Sequence, residues 1–394
     1  MSTIGIVASA STVGHGGGTD IYTLQLVRAL AAYGQGHEYV VLTNIDASLP
    51  LDREWPPHIR FATLRAVEPQ PSLAARSFRR LKRTVGLPVP LHYGDAYLAR
   101  QVDELALDVI HFPRTIIHPL TIQTPCVLTF FDMQQEYFPE FFTELELAER
   151  AKSYRPSVEK ARHIIVPSEY TRHTLVDKYG VAEEKMTTVP VGINKDFRRT
   201  SKEEIQRVVM KYGLPNEFVF YPANPWQHKN HVRLIAAMRT YRKEHGDCPW
   251  LVVSGRLRNE HRDVMSLAIA AGVEDRVIDL TFVDMEDMPA LYSAAQLLVF
   301  PSLFEGFGMP LVEAMACGCP IAAANATTIP EITNGAALLF DPLDPEHIAE
   351  ALHRVLHDTG LRQDLITKGE AQLPRFAWNA IVAQLVAVYE RVAR

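Results

Sequence analysis

The residues best suited to chemistry lie in one stretch: Pro301-Ser302-Leu303-Phe304-Glu305-Gly306-Phe307-Gly308-Met309-Pro310-Leu311-Val312-Glu313. Two carboxylates, Glu305 and Glu313, are separated by seven residues that include Gly306 and Gly308. Glycine lets a backbone approach a ligand closely, and Pro310 suits the first turn of a helix. A helix beginning there would aim free N–H groups and its positive dipole end at an anion, as a diphosphate requires. Glu305 would then sit in the loop and Glu313 about one turn inside the helix, both facing one cleft. A second candidate is Lys229, in Trp226-Gln227-His228-Lys229-Asn230. Its ammonium is a compact charge able to neutralise a departing phosphate. His228 and His231 flank it, but no third ligand is evident, so they read as loop histidines rather than a metal site.

For these groups to converge, strands have to deliver them to one edge. An apolar strand at 4–8 runs into Gly14-His15-Gly16-Gly17-Gly18, after which Leu24, Val27, Leu30 and Ala31 recur at helical spacing. Further strands are expected at 39–43, 109–112, 127–131 and 163–167. The same opening returns in the second half, with a strand at 218–221, a loop to 230, and a helix carrying Leu234, Ile235, Met238 and Tyr241. Strands follow at 250–254, 277–283, 297–301, 320–324 and 337–340. Strands alternating with helices imply parallel pairing in doubly wound sheets. The expected fold is α/β, with two Rossmann-like domains facing across a cleft. Residues 1–195 form the first, 196–375 the second, and 376–394 a last amphipathic helix crossing back to the first. The 301–313 stretch follows an apolar strand, at the carboxyl edge where open α/β sheets bind ligands.

Composition sets outer limits. A length of 394 residues suits two or three domains. With 47% hydrophobic and 22% charged residues, global disorder and a coiled coil are excluded. No run of about 18 apolar residues signals a membrane span. A net charge of -6 argues against nucleic acid as a partner. Cys126 and Cys248 are isolated, and Cys317-Gly318-Cys319 has neither zinc nor thioredoxin spacing, so all four read as small buried thiols. Ala8-Ser9-Ala10 mimics a signal-peptidase site, but no Lys or Arg precedes it and the apolar stretch is short. A cytoplasmic protein is therefore expected. No Asp-x-Asp sequence occurs.

Taken in order, these motifs resemble the family 4 glycosyltransferases (glycosyl transferases group 1), which have the GT-B fold. The resemblance also covers Val166-Pro167-Ser168-Glu169, Val189-Pro190-Val191-Gly192-Ile193, residues 283–295 and 320–331, and the N-terminal glycine-rich loop, which is nearly the whole chain. It implies transfer of a hexosyl unit, with retention, from an NDP-sugar donor (GDP-mannose or a UDP-hexose) to a saccharide acceptor, with no cofactor and no metal. Glu313 would hold the ribose hydroxyls, and Glu305 would contact the donor sugar near its reacting carbon. The backbone from Gly306 through Phe307, Gly308 and Met309 to Leu311 would hold sugar hydroxyls and the distal phosphate. Lys229 matches the lysine that binds the diphosphate, and Gly16 and Gly17 match a loop that approaches it across the cleft. Asn224 and Val283 complete the donor-binding set. The leaving phosphate is thought to accept the acceptor's proton, so no strong general base is needed. Two departures stand out. Ala223 and Asn224 occupy places where the family has an arginine, and Arg256 is the expected substitute. Phe131 stands where the family commonly has histidine, although the following Asp132 is kept as a catalytic candidate; His111 and His118 are nearby alternatives.

Arg76, Arg79, Arg80, Lys82 and Arg83 form a basic stretch, with no acid from Pro69 to Gly94. Such a segment can dock on an anionic membrane surface, which suits a lipid-linked acceptor in polysaccharide or O-antigen assembly at the inner face of the membrane. A solvated helix or a subunit contact is the plainer reading. The alternatives to a transferase are a non-catalytic sugar-nucleotide-binding scaffold subunit and a GT-B-like sugar-nucleotide epimerase.

Overall fold

Strands that are apolar on both faces need cover on both sides, which a parallel sheet between layers of helices supplies. The structure, a computed structural model, describes residues 1–8, 18–44, 54–65, 93–255 and 263–393. Among these, two parallel sheets form. The first has the order β3 (Ile59–Leu64), β2 (Glu38–Asn44), β1 (Thr3–Val7), β4 (Val109–Phe112), β5 (Cys126–Thr129), β6 (His163–Val166) and β7 (Met186–Thr188). The second runs β10 (Val277–Asp279), β9 (Leu251–Ser254), β8 (Val219–Pro222), β11 (Leu297–Phe300), β12 (Ile321–Ala324) and β13 (Leu338–Phe340). β4, β5, β6, β9, β11 and β12 are buried along their whole length. In each sheet the strand order reverses beside the opening strand, at β1/β4 and at β8/β11. Those reversals open the crevices where doubly wound sheets take ligands.

Three features depart from the sequence expectation. β3 and β7 add an edge to each side of the first sheet. β10 stops at Asp279 rather than 283, because Thr281 takes φ +53° and the Phe282 N–H turns back to the Leu280 carbonyl at 2.5 Å.

The chain crosses between the halves along residues 189–201 and returns near 373–378, where the Ile193 N–H donates to the Phe376 carbonyl at 3.0 Å. The helix Trp378–Ala393 then buries Ile381, Val382, Leu385, Val388, Tyr389 and Val392. Its Tyr389 hydroxyl shares a hydrogen bond with His111 Nδ1 at 2.8 Å, and His111 Nε2 shares another with Thr129 Oγ1 at 2.7 Å. Desolvation pushes the His111 pKa down to about 3, so the ring stays neutral and ties the last helix to β4 and β5. Among the described residues, no helix is long and apolar enough to cross a membrane.

Replacing His111 by Leu strands the Tyr389 hydroxyl and leaves Thr129 only its contact with the Tyr22 hydroxyl; a buried orphan costs about 1–3 kcal/mol. The expected loss of unfolding free energy is about 1–3 kcal/mol in urea titration; an unchanged midpoint would reject this tie.

Candidate active site

The β8/β11 crevice is built from its backbone upward. After β8 the chain passes through a short turn, Gln227–Lys229, to Asn230, which is buried at φ +61°. The Asn230 Nδ2 donates to the Pro301 carbonyl at 3.0 Å and to the Pro342 carbonyl at 2.8 Å, stapling the loops after β8, β11 and β13 together. The Tyr221 hydroxyl donates to the Lys229 carbonyl at 2.7 Å, and the Leu303 N–H to the His228 carbonyl at 2.7 Å. With its backbone fixed this way, Lys229 donates from Nζ to Glu305 Oε1 at 2.6 Å. The two side chains are only 18% and 11% exposed. The Glu305 N–H is itself held by Thr327 Oγ1 at 3.2 Å.

The loop after Glu305 needs both of its glycines. A Cβ at Gly306 would meet the Phe131 carbonyl oxygen and come within 2.9 Å of the Asp132 Cβ, so the two halves touch there. Gly308 adopts φ +94° and opens the helix Met309–Cys317 with no side-chain cap; Pro310 has no N–H and the Leu311 N–H turns back to the Gly308 carbonyl at 3.0 Å, so what this end offers an anion is chiefly the positive helix dipole. From the opposite wall comes Asp132, just after β5. Burial raises its carboxyl pKa, against the Gln134 N–H, which donates at 3.3 Å, and the charge of Arg150. Glu305 raises it further and Lys229 lowers it, so the three groups form one electrostatic cluster.

Lys229, Glu305, Asp132, Gly306 and Gly308 are thus brought together, with Phe307, Met309 and Leu311 following on the same loop and helix. Phe307 is buried against Phe376, their rings 5.9 Å apart. Glu313 lies one turn deeper and accepts from the Tyr292 hydroxyl at 2.7 Å. The residue keeps partial exposure, but its carboxyl is desolvated and its pKa is pushed up to about 7. The Asn224 carbonyl accepts from the Trp226 N–H at 2.7 Å, and Val283 follows the turn at 280–282. Gly16, Gly17 and Arg256 lie outside the described residues, as do Arg76, Arg79, Arg80, Lys82 and Arg83. Neither alternative histidine joins the site: His111 is locked in the core, and His118 sits 3.5 Å from the Asp95 carboxylate. His231 is buried against Tyr221 at 4.8 Å between ring centroids. Desolvation and the Lys229 charge bring its pKa down to about 4, making it a neutral wedge under the lysine loop.

Sequence reasoning missed Asn230, Thr327 and Tyr292. Only Asn230 carried a local signal, as a residue tolerant of positive φ just before a helix. A cavity of about 530 Å³ opens on the first half's side, with Asp20, Arg114, Glu149, Arg150 and Tyr154 among its walls. Arg114 donates to Asp20 there at 3.0 Å. Among the described residues, no group of three or more His, Cys, Asp or Glu side chains is arranged to hold a metal.

Two family models meet end to end on this architecture: Glycosyltransferase Family 4 over residues 16–197, and Glycosyl transferases group 1 over 201–372. The chain belongs to the family 4 glycosyltransferases. The enzyme is 29% identical over 266 residues to the O-antigen chain mannosyltransferase B of Escherichia coli, covering 67% of this chain and 70% of that protein. It is also 29% identical over 224 residues to the serotype-specific mannosyltransferase WbdA of Escherichia coli, covering 56% of this chain but only 28% of that protein. Among solved structures, the sucrose-phosphate synthase of Thermosynechococcus elongatus matches with a TM-score of 0.72 and 22% identity, over 100% of this chain and 99% of that one. That likeness shows the fold: this glycosyltransferase is GT-B.

The Glu313 shift carries a pH signature. Folding favours its neutral form, so its contribution to stability is complete below the ordinary carboxylate pKa and is lost as pH rises through about 7. The melting temperature of the wild type relative to Glu313→Gln should therefore fall between pH 5 and pH 8. An offset independent of pH would reject a desolvated carboxyl at this position.

Proposed function

We propose that this glycosyltransferase moves a mannosyl unit, or failing that another hexosyl unit, from an NDP-sugar to a saccharide acceptor, with retention and without a metal. The observation that carries the reading is the Lys229–Glu305 pair at the open N-terminus of the 309–317 helix, facing Asp132. Preorganised positive charge beside a helix N-terminus is what a leaving diphosphate needs. On donor binding, Lys229 would exchange Glu305 for phosphate oxygens, leaving Glu305 beside the sugar. The C1–phosphate oxygen bond then breaks, the C1–acceptor oxygen bond forms on the same face, and the acceptor proton passes to the leaving phosphate. Glu313, with Tyr292 behind it, would hold the ribose. GDP-mannose is the favoured donor because both relatives named above are mannosyltransferases; a UDP-hexose is the second choice. The first relative's name also favours an acceptor in O-antigen assembly; in this proposal that acceptor is lipid-linked and met at the cytoplasmic face of a membrane.

Glu305→Ala and Lys229→Ala should each lower kcat by about 10²–10³, the range for removing one preorganised charge or donor. The measurement is NDP release that depends on a sugar acceptor, and full turnover in either variant would sink the assignment. Membrane docking is tested separately. Co-sedimentation with anionic vesicles should drop severalfold when Arg76, Arg79, Arg80, Lys82 and Arg83 are neutralised; unchanged binding would remove that part of the proposal.

A further inference from the structure

The helix Glu169–Tyr179 belongs to the first half, yet the second half holds its first turn. Ser168 caps it, accepting from the Thr171 N–H at 3.1 Å, and two earlier N–H groups have no partner within the helix. Glu331 takes both. It comes from the short helix Ile329–Thr333 that follows β12. The Glu169 N–H donates to its Oε1 at 2.8 Å and the Tyr170 N–H to its Oε2 at 3.1 Å. A carboxylate using both oxygens at the positive end of a helix is a favourable, charge-assisted arrangement.

The same turn also grips the loop that carries Glu305. The Ser168 hydroxyl donates to the Gly306 carbonyl at 3.1 Å. The Thr171 hydroxyl lies 3.3 Å from both the Gly306 and the Phe131 carbonyl oxygens, one from each half. Phe304 completes the contact, with ring centroids 6.1 Å from Tyr170 and 5.6 Å from Tyr137. Four neighbouring residues of one turn therefore meet the second half at Phe304, Gly306 and Glu331.

We propose that Glu331 is a positioning residue, whose two-oxygen hold on this turn clamps the Asp132 loop against the Glu305 loop in the arrangement that turns over. The proposal rests on the transfer reaction above. The chemistry of the contact suits a clamp that can be made and broken. Glu331 reaches backbone N–H groups near the surface, where water can take either partner's place, and an apolar seam of the same extent would be slow to part. Glu331 hydrogen-bonds none of Lys229, Glu305 or Asp132, so its effect on them has to pass through the turn.

The test compares wild type with Glu331→Ala and Glu331→Gln in the full chain. Readouts are kcat, affinity for the free nucleoside diphosphate by calorimetry, the radius of gyration by X-ray scattering, and amide exchange at Glu169 and Tyr170. For Glu331→Ala, kcat should fall about tenfold while nucleotide affinity stays within twofold. Exchange at the two amides should speed up at least tenfold with β6 unchanged, and the particle should expand. Glu331→Gln should lie between. A kcat within twofold of wild type, or a loss of kcat matched by lost nucleotide affinity and a lower melting temperature, would overturn the clamp. Should Glu331→Ala fail to fold, Glu331→Gln and Ser168→Ala carry the same comparison from the two sides of the contact. If the wild type releases no NDP with any nucleotide sugar, the transferase reading fails, while scattering and exchange still decide whether the clamp exists.

Discussion

A lysine and a glutamate 2.6 Å apart, both largely withdrawn from water, are the constraint around which the second half is arranged. Desolvating two ions costs several kcal/mol each, and mutual attraction repays it only when geometry is good and the remaining valences are met. As a stability device, such a pair gains little over two apolar side chains. In the proposed reaction its use is different: it would keep a cation ready in a crevice with its charge balanced until another anion arrives. That role demands a backbone that does not yield when Nζ changes partner. Tyr221 from β8, Leu303 from the loop after β11, and Asn230 through the Pro301 and Pro342 carbonyls supply the rigidity of the 228–230 turn. The Phe300 ring, 5.9 Å from Nζ, adds a face that tolerates the charge without competing for it.

Asp132, on the opposite wall, acts on the pair through electrostatics rather than through a hydrogen bond. Asp132 feels Arg150 and Lys229 favouring its charge and Glu305 opposing it, and burial outweighs both cations. Adding a diphosphate to this cluster would engage Lys229 and raise the cost of ionising both carboxylates at once. The donor's diphosphate would therefore influence the protonation of Asp132 without touching it, provided that the two loops stay as close as Gly306 allows. Their spacing is thus as much a part of the chemistry as the identity of the groups.

Much of the scaffold was legible in the sequence because buried parallel strands are short apolar runs, and all six strands of the second sheet stand where such runs occur. The edges were not. β3 is interrupted by the exposed Arg60 and Thr63, and β7 has three residues, so neither yields a continuous apolar run. The early end of β10 depends on a threonine at positive φ, which residue type argues against rather than for. In the site, the Glu-Gly-Phe-Gly-Met-Pro loop and Lys229 announce themselves by spacing. Tyr292 and Glu331 do not, because one hydroxyl meeting a carboxylate and one carboxylate meeting two distant backbone amides leave no pattern in the chain. Asn230 lies between these cases: its turn chemistry is readable, but the carbonyls it bridges, 71 and 112 residues away, are not.

Phe131 shows why a lost side chain need not mean a lost contact. Its ring turns edge-on to Tyr22, with centroids 5.1 Å apart and planes at 85°, and so packs the first half's own interior. What this position gives to the crevice is its carbonyl, held against Gly306 and within 3.3 Å of the Thr171 hydroxyl. A histidine there could add an imidazole toward the donor; a phenylalanine contributes only shape. Discrimination among sugars in the proposed reaction then falls on groups whose positions the two-sided contact governs, namely Asp132, Glu305 and the backbone of the Gly306–Gly308 loop. Specificity and closure become the same structural problem, because each of these groups recognises a hydroxyl only at the separation that the 168–171 turn maintains.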